Sequence, residues 1–220
     1  MDWTAPIDAY CERIAEGLFG EPLNAISNLA FFVAAAYGMA VARREHNGLP
    51  VWGLAWLVAV IGAGSLLFHT FANRWSMLAD VIPITGFIYA YFAFALRRFV
   101  GLPWGTTLLL LGALLIANVG LAVLTPPGLL NGSVGYLPAL VAALAMALVL
   151  RSRNHAAAFH LTAAAIIFAF SLGFRTADRV VCHAVPIGTH FIWHILKALV
   201  MGLYLEAAAR FGTSKTLKKN

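Results

Sequence analysis

Charge is what this chain has least of. Of its 220 residues, 11% are Asp, Glu, Lys or Arg and 61% are hydrophobic, and the mean hydropathy is +0.83. A soluble domain carries about 25% charged residues, so this chain cannot cover itself with a water-compatible surface. An integral membrane protein is expected, with no soluble domain of useful size left over. Cysteine is scarce too: Cys11 and Cys182 are the only two and no CxxC occurs, which argues against a cysteine metal site. There is no low-complexity tract and no convincing internal repeat. The first residues lack a basic stretch leading into a small-residue cleavage site. No cleaved signal peptide is therefore expected, and the first apolar run reads as a retained helix.

Long apolar runs are what the chain has in abundance. A membrane-spanning helix needs about 20 such residues, and seven segments qualify: Leu23 to Ala42, Val51 to Phe71, Leu78 to Leu96, Gly105 to Leu124, Val134 to Leu150, Ala156 to Phe174 and Pro186 to Ala209. Turn signals separate them, among them Asn47-Gly48-Leu49-Pro50, Gly101-Leu102-Pro103 and Pro126-Pro127-Gly128. The expected fold class is all-α, a polytopic membrane protein with seven transmembrane helices. It reads as a single domain over 1–220, with an acidic N-terminal segment (1–22), a bundle (23–209) and a basic tail (210–220).

The basic residues set its direction. Arg43, Arg44, Arg97, Arg98, Arg151, Arg153, Arg210, Lys215, Lys218 and Lys219 flank one set of helix ends; Arg13, Arg74, Arg175 and Arg179 flank the other. By the positive-inside rule the N-terminus faces out and the C-terminus faces the cytoplasm. The net charge of +6 belongs to this pattern, so a bilayer is the expected partner and nucleic acid is not. Five of the nine acids precede the first helix: Asp2, Asp8, Glu12, Glu16 and Glu21. They suit either a solvated amphipathic lead-in or a hard-cation site, since clustered carboxylates and carbonyls suit calcium.

Ionisable groups at membrane depth are costly and usually functional. Ser65 and His69 stand at i, i+4 near the outer end of the second run. Asp80 opens the third run, and His190 and His194 stand at i, i+4 in the first turns of the seventh. Helix order and charge bias bring all five to similar depth, on the extracytoplasmic side. Three neutral imidazoles plus a water make a catalytic zinc arrangement, and zinc lowers the pKa of its water to about 7. His69, His190 and His194 are then the ligands, and Asp80 the base that moves the water's proton. Ser65 is the oxyanion donor or water-orienting group.

Each piece alone has a plainer explanation: an interfacial histidine at His69, an unremarkable HxxxH at His190 and His194, a helix cap at Asp80, a hydroxyl on its own backbone at Ser65. Their coincidence at one depth favours the site. His46, His155, His160 and His183 show no such convergence. Lys197, within the seventh run, could snorkel, pair with an acid or shape the cavity.

The Ser65-Leu66-Leu67-Phe68-His69 segment, Asp80 eleven positions later and His190-Phe191-Ile192-Trp193-His194 resemble the alkaline ceramidase family. That family lies within a superfamily of seven-helix membrane hydrolases that includes adiponectin-receptor-type proteins. Tyr10-Cys11-Glu12 and the stretch Glu21-Pro22-Leu23-Asn24-Ala25-Ile26-Ser27-Asn28-Leu29 look like the family's N-terminal motifs. The resemblance covers essentially the whole chain. It implies zinc at His69, His190 and His194, catalytic roles for Ser65 and Asp80, and a calcium site at Glu12, Glu21 and Asp8, the last displaced by the intervening Ala9. It also implies a disulfide between Cys11 and Cys182, in a compartment where such a bond persists.

The expected function is zinc-dependent hydrolysis of the N-acyl amide of ceramide or a related lipid, releasing fatty acid and amine. One rival is an adiponectin-receptor-like receptor or regulator with a structural zinc site, a branch expected to place its N-terminus inside. The other is a transporter using Asp80 and the histidines as a relay. Transporters often show paired broken helices in two repeated halves, and no such symmetry is present.

Overall fold

The computed structural model describes residues 2–15 and 20–212. Glu16 of the acidic segment and Lys215, Lys218 and Lys219 of the basic tail lie outside the described residues. All seven expected spans form helices long and apolar enough to cross a membrane: α1 Pro22–Arg44, α2 Leu49–Phe71, α3 Arg74–Val100, α4 Trp104–Leu124, α5 Leu129–Ser152, α6 Ala158–Val181 and α7 His190–Phe211. No β-strand occurs among the described residues; Pro6 and Asn73 make one isolated bridge.

Local chemistry sets the helix ends. Proline opens α1 and α2 in their first turn, where its missing N–H is no loss. Asn73 and Ser76 cap α3 reciprocally, each side chain bonded to the other's backbone N–H. The last turn of α3, Leu96–Val100, widens to a π-helix and stops at Gly101 in the left-handed region, φ 80°. Two boundaries depart from the apolar runs. Helix α6 continues seven residues past Phe174 to Val181, because Asp178 and Arg175 find partners inside the protein. Helix α7 begins at His190 instead of Pro186, because the chain turns at Gly188 with φ +64°.

Neighbouring helices pack in chain order and α7 closes the bundle against α1. Helix α7 is the most enclosed, touching α1, α2, α3 and α6. Helix α4 is the least enclosed and presents Leu108, Leu109, Leu115, Ile116, Val119 and Val123 outward, a surface only lipid can solvate. The core runs along the bundle axis through Phe31, Val58, Ile61, Leu161 and Leu205.

One close crossing positions the site. Gly64 on α2 lies against the backbone carbonyl of Ala79 on α3, which brings the next residues along, Ser65 and Asp80, to one cavity. A methyl group at Gly64 would meet backbone atoms that cannot swing aside. Gly64→Ala is therefore expected to destabilise the protein by about 1–3 kcal/mol, the usual cost of overpacking. The check is the midpoint of thermal unfolding in detergent; an unchanged midpoint would show that the crossing can widen freely.

Candidate metal centre and active-site cavity

Three buried imidazoles converge at the end of the bundle where α2 finishes and α1, α3 and α7 begin. His69, His190 and His194 each offer a ligand atom, all within 4.8 Å of one another. The rings lie with centroids 4.5 to 5.2 Å apart, and the residues are 0–2% exposed. Among the described residues this is the one group of three or more His, Cys, Asp or Glu side chains so arranged.

For His69 and His194 the outer contacts fix which nitrogen the ring presents. His69 Nδ1 is 2.6 Å from Glu21 Oε2, and its Nε2 is buried with no partner. His194 Nδ1 is 2.7 Å from Ser27 Oγ. The Ser27 hydroxyl donates to the Asn24 carbonyl, so it accepts from His194, and the lone pair of that ring is left at Nε2. His190 stacks on Tyr10 at 3.6 Å between centroids, and its Nδ1 has no partner. Buried polar atoms without partners are rare. Ring nitrogens this close together, with a carboxylate behind His69 and a hydroxyl behind His194, make the donor set and outer shell of a histidine metal site. The group could hold a metal ion.

Glu21 is the hub of that shell. Its Oε2 also accepts from Asn24 Nδ2 at 3.0 Å, and its Oε1 is paired with Arg13 Nε at 2.5 Å. Burial pushes the carboxyl pKa up, but the His69 and Asn24 hydrogen bonds and the Arg13 charge outweigh it and hold the group below its ordinary value. Burial pushes the Tyr10 phenol well above its usual range, with the nearby Arg175 charge a smaller opposing effect.

The carboxylates expected for calcium have protein partners. Glu12 accepts the backbone N–H of Leu23 at 2.6 Å and of Asn24 at 2.7 Å, capping the positive end of α1. Glu21 is engaged as above. Asp8 is exposed, with its carboxylate 3.8 Å from Arg179. Both oxygens of Glu12 and of Glu21 accept hydrogen bonds, and each carboxylate keeps further lone pairs.

Ser65 and Asp80 line a cavity of about 420 Å³ with Tyr10, His190 and His194. His69 is off its wall, packed against Tyr10, His190 and His194. Asp80 is half-buried, and its Oδ1 has no hydrogen-bond partner. The same wall holds Arg175, Tyr136 and Lys197. Tyr136 and Lys197 also line a narrow apolar cavity that continues along the bundle between Phe87, Tyr91, Ala139, Met146, Phe168 and Tyr204.

Asp178, which sequence reasoning missed, organises the approach of α7. Its Oδ1 accepts the backbone N–H of Thr189 at 2.7 Å and of His190 at 2.9 Å. Its Oδ2 accepts the N–H of Cys11 at 3.0 Å. An acid just beyond an apolar run was the available signal. The expected Cys11–Cys182 disulfide is present, with Cα atoms 5.3 Å apart, so N-terminal segment and last connection are tied covalently as well.

A family model described as Ceramidase matches residues 3–219, nearly the whole chain. No curated protein matches the chain.

Proposed function

The chain belongs to the ceramidase family, and from that premise we propose that it is a zinc-dependent amidohydrolase of membrane lipids. It would cleave the N-acyl amide of ceramide or a related lipid, releasing a fatty acid and an amine. The observation that carries this reading is the group of three buried histidines whose ligand atoms lie within 4.8 Å of one another, two of them, His69 and His190, with an orphaned ring nitrogen, beside a cavity lined by Asp80 and Ser65.

His69, His190 and His194 would hold the ion, and the all-imidazole set fits zinc. Bound there, zinc supplies Lewis acidity toward the substrate carbonyl. The chain's own groups do the rest. Asp80, with a free oxygen facing the cavity, takes a proton from the attacking water and delivers it to the departing amide nitrogen. The C–N bond breaks as the new C–O bond is completed, giving carboxylic acid and amine. Ser65 donates a hydrogen bond to the carbonyl oxygen as negative charge develops on it. Glu21 and Ser27 hold the His69 and His194 rings, and Tyr10 holds the plane of His190. The narrow apolar cavity beyond Tyr136 takes the start of the acyl chain, which enters from the bilayer between helices.

The metal end of the bundle would face the outside. The arginine asymmetry supports this orientation, and so does the Cys11–Cys182 bridge at that end, since disulfides persist in oxidising compartments. Purified protein given a panel of N-acyl lipids is expected to release fatty acid, to stop when a chelator is added, and to resume when zinc is restored. Protein that retains zinc and turns over no lipid amide would overturn the proposal in favour of a receptor-like role.

A further inference from the structure

Two cations on the cavity wall have no part in that hydrolysis. Lys197 is 4% exposed, and its Nζ has no hydrogen-bond partner. The ammonium lies over the rings of Trp193 and Tyr136, 4.5 and 4.8 Å from their centroids. Arg175 lies over Tyr136 at 5.6 Å and over Tyr10 and Trp193 at 5.8 Å, and its Nη1 donates to the Asn131 carbonyl at 2.9 Å. Among the described residues neither makes an ion pair within 4.0 Å. Aromatic faces attract cations but accept no strong hydrogen bond from them. A buried ammonium without an acceptor is costly, and aromatic walls only reduce that cost.

The acid sharing this wall with them is Asp80, which can balance one of the two charges. A divalent ion at the histidines would add to the positive excess. The cavity is therefore short of negative charge, and the deficit is localised where Lys197 and Arg175 converge on Tyr136 and Trp193.

We infer that Lys197 and Arg175 form a subsite for an anionic group, carboxylate or phosphate, on the polar part of the lipid. This rests on the hydrolase reading and narrows its substrate class to N-acyl lipids bearing an acid near the scissile amide. The placement suits that. Lys197 follows His194 by three positions, a rise of about 4.5 Å along α7, comparable to the span from an amide carbonyl to an acid two to four bonds beyond its nitrogen. A guanidinium and an ammonium together suit either oxyanion, the first by its planar fork and the second as a point charge.

The test compares N-oleoylglycine, N-oleoyl ceramide 1-phosphate and the neutral N-oleoylethanolamine and N-oleoyl ceramide, using zinc-loaded protein in nanodiscs. At least one acidic substrate is expected to exceed its neutral counterpart about tenfold or more in kcat/KM, the discrimination of a charge-assisted contact. Which acid does so identifies the oxyanion. Lys197→Met is expected to lower kcat/KM for that acid about tenfold more than for the neutral lipid, through KM, and Lys197→Arg to retain the preference. Equal losses on acid and neutral lipid, or no acid preference in the unsubstituted protein, would overturn the subsite.

A binding measurement separates this from the hydrolase reading. In protein stripped of metal by chelator, oleate is expected to bind more tightly than oleyl alcohol, by titration calorimetry, and Lys197→Met to lose the difference. If no lipid amide is turned over, the hydrolase reading fails while this comparison still decides the subsite. Equal binding of oleate and oleyl alcohol would refute it.

Discussion

Replacing His69 with alanine is expected to abolish stoichiometric zinc and to bring lipid-amide hydrolysis to background. Two imidazoles remain, and catalytic zinc sites in proteins rest on three protein ligands. The loss should exceed that of a missing ligand alone, because Glu21 would be left buried with its Oε2 facing a void where the His69 ring had been. Metal content per chain, measured on protein that still elutes as a folded species, is the direct readout. Hydrolysis unchanged from the parent would remove the histidines from the mechanism. Zinc retained at one ion per chain would place the ion elsewhere.

Asp80→Asn should separate metal from chemistry. The side chain keeps its size, and none of the three histidines depends on it for a hydrogen bond, so zinc content is expected to stay at the parent level. Turnover is expected to fall about 10²–10⁴-fold, the usual contribution of a positioned acid–base group. The fall should appear in kcat, since an amide cannot relay the proton from water to leaving nitrogen. A variant with full zinc and undiminished kcat would reassign the proton transfer.

The parts of this molecule that could be read in the sequence are those in which a single helix carries the information. Seven apolar runs are long enough to be helices, and the i, i+4 spacings of Ser65 with His69 and of His190 with His194 put each pair on one face whatever surrounds it. Contacts made across helices were hidden. Arg175 reads as a charge in an outer loop, yet it sits on α6 beside the cavity, because a polar segment can stay helical past the end of an apolar run when its groups are satisfied internally. Glu12 and Glu21 read as a solvated lead-in or a cation site because acids cluster there, and their hydrogen-bond partners could not be read. In the fold one caps α1 and the other orients His69, partnerships that depend on where α1 lies against α2. Ser27 carries no local signal, and Asp178 signals only as an acid just beyond an apolar run. Their roles exist only once α7 has been brought against α1 and α6.

The bond from Asp178 to the Cys11 backbone, and the disulfide beside it, have a consequence for biogenesis. The centre joins the two extremes of the chain: Tyr10, Arg13 and Glu21 come before the first helix, while His190 and His194 open the last. Ribosomal synthesis delivers those halves at opposite ends of its timetable. Through six insertions the nascent protein therefore has at most one imidazole of the three and a shell waiting around an incomplete centre. Competence arrives in a single late event, when α7 enters the membrane and docks against residues made first. Unfinished or truncated chains thereby lack two of the three imidazoles.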